Sequence, residues 1–169
     1  MTATDTIQWE ARHVGGSRFA DGSAIIRPAE MPWTDGPLDG LSFRLTHIDR
    51  ATSMWTAIYK VAPDAVVPAH HNHGEVQYFI IDGSLAIGDV SLGVGDYYQA
   101  PGGTVPALAA GSSGATFFAM YTAGGLSAVD EDGEPTGPFI DADRVYKLAA
   151  ANNGAQHLPA APARWHRGP

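Results

Sequence analysis

Cysteine is absent from the chain. Disulfides, iron–sulfur clusters and thiolate nucleophiles are thereby excluded, and any metal has to be held by imidazole, carboxylate, amide or phenol groups. No run of about 18 apolar residues occurs, so the sequence predicts no membrane-spanning helix. The first residues lack the basic start and apolar stretch of a secretory signal, which makes the cytoplasm the expected compartment. Positive charge is also scarce: 10 Lys and Arg stand against 18 Asp and Glu, for a formal net charge of −8. An acidic surface repels phosphate backbones, so nucleic acid is not an expected partner.

Helical patterning is equally sparse, while turn residues are plentiful. The 20 glycines and 12 prolines fall between short β-branched or aromatic runs, the pattern of an all-β fold. Leu41, Phe43 and Leu45 alternate with polar residues, as do Trp55, Ala57, Tyr59 and Val61, and each run predicts a half-buried strand. Residues 76–81 are strongly β-prone, Asp82-Gly83 predicts a hairpin turn, and Ser84 to Gly88 would return from it. Tyr97, Tyr98 and Gln99 lie on a later strand, and Ala115 to Tyr121 form another. The acidic run Asp130-Glu131-Asp132-Gly133 reads as a solvated turn between two hairpin arms. One helix is expected, near 141–152: Asp141 can cap its free N–H groups, Val145, Leu148 and Ala149 give an apolar stripe, and Gly154 can end it. The expected organisation is an N-terminal arm over 1–22 with at most one short strand, one domain over 23–154, and a Pro- and Ala-rich tail over 155–169. The arm and tail are long for a compact barrel, so a homodimer or larger symmetric oligomer is expected.

Chemistry concentrates in Pro68 to Gln77, where three of the seven histidines lie within four positions. On an extended strand residues i and i+2 share a side, so His71 and His73 can reach one metal ion together. Gln77 follows at the head of the next strand and offers an amide oxygen. His70, Glu75 and Asp89 are possible replacements, and the pair His70 and Asn72 is an alternative register. As candidate substrate-contacting residues the sequence offers Tyr59, Phe79, Tyr98, Gln99, Phe118 and Met120.

The segment resembles the first cupin motif, Gly-x5-His-x-His-x3,4-Glu-x6-Gly, through His71-x-His73-x3-Gln77 followed by Gly83; Gln77 stands where Glu would, and the run to Gly83 is one residue short. The pair His70 and Asn72 lies at the conventional distance from Gly83. Gly95-x5-Pro101-x-Gly103-x2-Pro106 resembles the second motif, with Pro106 in the place of its histidine. From Trp33 to about residue 150 the chain is similar to the cupin branch of acetylacetone-cleaving and 2,4′-dihydroxyacetophenone dioxygenases and of the anti-sigma-factor cupins.

This resemblance implies a jelly-roll β-barrel with one C-terminal helix and a mononuclear divalent metal (Fe, Zn, Mn or Ni) at His71, His73 and Gln77, weakly bound because Pro106 cannot ligate. It also implies a small-molecule substrate and oxidative carbon–carbon cleavage of a diketone or aryl ketone. Two alternatives stay open. One is a non-oxidative lyase, isomerase or cyclase using barrel histidines, with His71 or His73 as general base. The other is a metal-depleted cupin that only binds or senses a ligand.

Overall fold

Period-two runs of apolar residues build the largest sheet. In the computed structural model, which describes residues 9–160, fourteen strands precede a single α-helix. Strands β1 (Trp9–His13), β2 (Gly16–Phe19) and β3 (Ala24–Ile26) form a small antiparallel sheet of their own. The large sheet is built from β4 (Thr34–Asp35), β5 (Leu41–Asp49), β6 (Met54–Val61), β7 (Val66–Val67), β9 (Val76–Ile87), β10 (Val90–Leu92), β11 (Tyr97–Ala100) and β12 (Leu108–Tyr121). Its order is β10-β9-β12-β6-β5-β4, with β11 also on β9 and β7 on β12. The third sheet has the order β14-β13-β8, from β8 (His70–Asn72), β13 (Leu126–Val129) and β14 (Pro135–Ile140). Every strand pairing is antiparallel. The result is the mostly β, cupin-like barrel with one late helix that the resemblance implies.

One face of the large sheet supplies the core. Trp55, Ala57, Tyr59 and Val61 of β6 are buried, as are Phe43 and Leu45 of β5, Val76, Tyr78 and Ile80 of β9, and Phe117, Ala119 and Tyr121 of β12. The residues between them face the other way. There Tyr97, Phe79, Phe118 and Ile58 stand side by side across four strands, with Tyr97 and Phe79 exposed. Helix α1 (Ala142–Ala151) matches its expected position: the Asp141 side chain accepts from Arg144 N at 2.8 Å, capping the first turn. It packs on the barrel through Val145 and Ala149 and is tied to the turn after β5 by the Arg50–Asp143 ion pair, 3.1 Å. Among the described residues no helix is long and apolar enough to cross a membrane.

Two local expectations are corrected. Asp82-Gly83 is not a hairpin turn, because β9 runs straight through it to Ile87 and the chain reverses at Gly88-Asp89 instead. Gly83 serves a close approach: it adopts φ +70° where the register with β12 shifts, and a Cβ there would strike the Gly114 carbonyl. The arm carries two strands, β1 and β2, rather than one, since Gly15 folds it on itself, and β3, reached through the Asp21–Ser23 turn, completes their sheet beyond residue 22. Residues 155–158 pack on their own chain: Ala155 and Leu158 are buried, and Arg18 Nη2 donates to His157 O at 3.3 Å. The first eight residues and the tail beyond 160, with Arg164 to Arg167, lie outside the described residues.

Candidate functional site

Between the inner face of the large sheet and the third sheet, β14-β13-β8, lies a cavity of about 290 Å³. Its aromatic wall is Phe43, Trp55, Tyr59, Phe117 and Tyr121. Leu126 and Ala128 of β13 and His70 of β8 face this wall, and Val145 and Leu148 of α1 close one side. No Asp, Glu, Lys or Arg is among the lining residues. The apolar walls follow from the strand period: β5, β6 and β12 each turn their apolar alternate positions toward it.

His70 is the one imidazole in this lining. Strand β8 is held between two neighbours, pairing with β13 on one side. On the other side the segment after β11 runs beside it: His70 N donates to Pro106 O at 3.2 Å and Asn72 N to Thr104 O at 2.9 Å. The strand parity then turns His70 and Asn72 inward, at 7% and 0% exposure, with Ala128 and Leu126 as their partners across the ladder. His70 Nδ1 lies 2.9 Å from Pro68 O. A carbonyl only accepts, so Nδ1 carries the proton and Nε2 keeps its lone pair. Burial pushes the His70 pKa below the ordinary value, partly offset by the Pro68 carbonyl, and the ring is therefore neutral near pH 7.

Two buried side-chain hydrogen bonds involve tyrosines of the aromatic wall. Trp55 Nε1 donates to the Tyr59 hydroxyl at 3.1 Å, and the Tyr78 and Tyr121 hydroxyls are 3.4 Å apart. Burial raises the pKa of Tyr59, Tyr78 and Tyr121, so these phenols stay protonated donors. Tyr59 already accepts from the indole, and its own proton has no acceptor among the described residues, which leaves it available to a molecule in the cavity.

His71 and His73 share a face as expected, with ring centroids 4.6 Å apart, but it is the face of the third sheet that points away from the cavity. There His73 is exposed, packs edge-on against Phe139 and lies with Nε2 2.8 Å from Ser127 Oγ. Its pKa is lowered, by burial first and His71 second. The expectation that this pair points into the barrel is corrected: the ladder with β13 sets the parity one residue away, and neither ring lines the cavity. Gln77 is not brought to them. It donates to Glu75 Oε1 at 2.5 Å, and Gln99 donates to Glu75 Oε2 at 2.7 Å, which holds the Glu75 carboxyl below its usual range. Asp89 sits exposed in the β9–β10 turn.

Of the expected substrate contacts, Tyr59 lines the cavity. Tyr98 stacks on Tyr78, centroids 5.5 Å apart, at the edge of the inner face. Phe79, Phe118, Met120 and Gln99 lie on the outer face, because the inward alternates on their strands are Tyr78, Phe117, Tyr121 and Ala100. Tyr121 was legible only from parity: it is two and four residues from Ala119 and Phe117, on the face that packs.

With His70 and Asn72 inward, the cupin motif falls into its conventional spacing. Asp64, φ +58°, takes the first glycine's place six residues before His70; Val76 takes the glutamate's, and Gly83 follows at the right distance. Pro106, buried beside His70, takes the place of the last histidine. The four ligand places thus hold His70, Asn72, Val76 and Pro106. One imidazole with an amide and two hydrocarbon side chains does not fit a three-histidine centre. Among the described residues no three of His, Asp and Glu come together to hold a metal ion.

Solved structures that share this barrel are distant in sequence. An acetylacetone dioxygenase from Acinetobacter johnsonii is 18% identical with a TM-score of 0.60, covering 90% of this chain and 95% of that one. An RmlC-like cupin from Ralstonia eutropha is 16% identical with a TM-score of 0.64, covering 79% and 88%. A Ralstonia eutropha protein of unknown function with a cupin-like fold is 17% identical with a TM-score of 0.62, covering 74% and 83%. At such identity these likenesses show the fold. No curated protein matches the chain. Residues 21–123 match the ChrR cupin-like domain, and with that span, the barrel and the motif glycines in place, the chain belongs to the ChrR cupin-like family.

Proposed function

We propose that this chain is a small-molecule cupin that moves a proton on a compact, uncharged carbonyl compound held in the barrel, with His70 as the base. The observation that carries this reading is the neutral His70 imidazole, its Nδ1 fixed on Pro68 O, in a cavity without any charged side chain. A lone imidazole in apolar surroundings is a base whose unprotonated form is favoured at neutral pH. Oxidative carbon–carbon cleavage, the finer expectation drawn from the dioxygenase resemblance, has no comparable support in the donor set.

The chemistry balances with groups already present. Tyr59 O–H donates to the carbonyl oxygen, and His70 Nε2 removes a proton from the adjacent carbon. The C–H electron pair becomes the new C=C bond while the carbonyl π pair moves to oxygen, giving an enolate whose oxygen accepts from Tyr59 O–H and whose charge is balanced by the His70 imidazolium. Return of the proton to a different carbon completes an isomerisation; departure of a leaving group from the next carbon completes an elimination.

Deuterium uptake tests the proposal. Compact neutral ketones and 1,3-diketones are incubated with the protein in D2O, and exchange at the carbon beside the carbonyl is followed by NMR. The wild type should accelerate exchange, and His70→Ala should lose about 10²- to 10⁴-fold of that acceleration. The purely apolar wall also favours a second reading, a binding module. Compounds that raise the melting temperature yet exchange no faster than in buffer would support that reading and refute proton transfer.

A further inference from the structure

The four ligand places of the barrel have each acquired another occupation. His70 spends Nδ1 on the Pro68 carbonyl. Asn72 donates through Nδ2 to Thr104 Oγ1 at 3.3 Å, and Thr104 Oγ1 in turn donates to Pro101 O at 3.0 Å, which pins the loop between Pro101 and Pro106. Val76 is packed at 1% exposure in the apolar core. Pro106 is buried and gives its carbonyl to His70 N. The backbone that would position ligands is meanwhile intact. Asp64, Gly83, Gly95 and Gly103 all keep positive φ, and the segment 103–106 still runs antiparallel to β8.

From this we infer that the barrel works without a resident metal ion: its ligand places have become packing and hydrogen-bonding positions on an unchanged backbone cradle. The side chains argue this by their chemistry. A transition metal at these four places would gain one imidazole, from His70, and find hydrocarbon at Val76 and Pro106. The amide of Asn72 is a poor ligand for such an ion, and Asn72 Oδ1, buried without a partner, suits a hydrogen-bond donor better. The inference rests on His70 and Asn72 facing inward, which the proposed function shares, but not on any proton transfer.

Metal titration decides it with no activity readout. The His71→Ala/His73→Ala variant removes the imidazole pair on the opposite face. After stripping with chelator, it is titrated with Zn2+ and Co2+ by calorimetry and by Co2+ absorption. No stoichiometric site that depends on His70 should be found. Adding Asn72→His and Pro106→His to that background should create one equivalent of Co2+ binding with visible d–d bands, tighter than its parent by roughly 100-fold or more. A stoichiometric site in the parent that His70→Ala abolishes would overturn the inference. So would a four-substitution variant, folded by circular dichroism, that gains no metal, because the places would then not converge. Should that variant fail to fold, the parent and its His70→Ala derivative still decide the question by themselves.

Discussion

Tyr59→Phe removes one oxygen atom and little packing. The ring stays where it lies, 5.7 Å from Phe117 and 5.9 Å from Phe43 between centroids. What is lost is the acceptor for Trp55 Nε1, on an indole that is 0% exposed and stacked 4.3 Å from Tyr121. A buried N–H left without a partner costs about 1–3 kcal/mol, more than the net value of the bond itself. For a chain of this size each kcal/mol lowers the melting temperature by roughly 2–4 °C. Urea unfolding of the wild type, Tyr59→Phe, Trp55→Phe and the double variant gives the coupling between the two groups. The cost of Tyr59→Phe should shrink by at least about 1 kcal/mol once Trp55 is Phe, since no orphan then remains. The reasoning fails if Tyr59→Phe is as stable as wild type, or if its cost is unchanged in the Trp55→Phe background. In the deuterium assay the same variant should lose about 10²- to 10³-fold of the exchange rate, because the donor to the carbonyl oxygen is gone.

Stability should depend on pH through His70. Its folded pKa lies below the ordinary 6.5, so the unfolded chain takes the proton first: stability is full above pH 6.5 and falls as pH drops through the lowered folded value. Urea unfolding between pH 5 and 8 should show a shallower fall for His70→Leu, and an identical fall would sink the assignment. Gly83→Ala and Gly88→Ala both enforce a positive φ, but only Gly83 has a carbonyl where the methyl must go, so its variant should cost well over the roughly 1 kcal/mol expected for Gly88; equal midpoints would refute the close-approach argument. Asp141→Ala should cost about 0.5–2 kcal/mol by uncapping α1, measured by thermal unfolding. The expected symmetric oligomer finds a candidate surface in the exposed row through Tyr97 and Phe79: Phe79→Asp with Tyr97→Asp should shift a dimer to monomer in sedimentation, and a wild type already monomeric at micromolar concentration would count against it.

Strand existence was legible because the core side of each long strand repeats every second residue, and burial rewards that repeat directly. The runs from Leu41, Trp55 and Ala115 all became strands of the large sheet. The helix was legible from one cap and one stripe. Turn placement at Asp82-Gly83 was not, since glycine serves equally for a reversal and for two backbones that nearly touch; only the partner, Gly114 on β12, separates the two uses, and it lies far along the chain.

The site hinged on a choice of parity that ligand chemistry could not make. His71 and His73 are the better metal ligands, yet a strand's facing is set by its neighbours, and β8 is only three residues long between β13 and the Pro101–Pro106 loop. A one-residue slip moves every side chain to the other face. The spacing to Gly83 held the information: its φ of +70° is needed at the close approach to Gly114, so that glycine is a fixed mark along β9, and counting back from it selects His70 and Asn72. The same count places Val76 and Pro106 at the remaining ligand positions. Backbone marks such as a glycine with positive φ therefore outrank the appeal of a histidine pair when register is in question, because the pair costs little on an outer face, whereas the glycine is required by the fold. Here that ordering turns a presumed metal shell into one neutral imidazole facing an apolar wall.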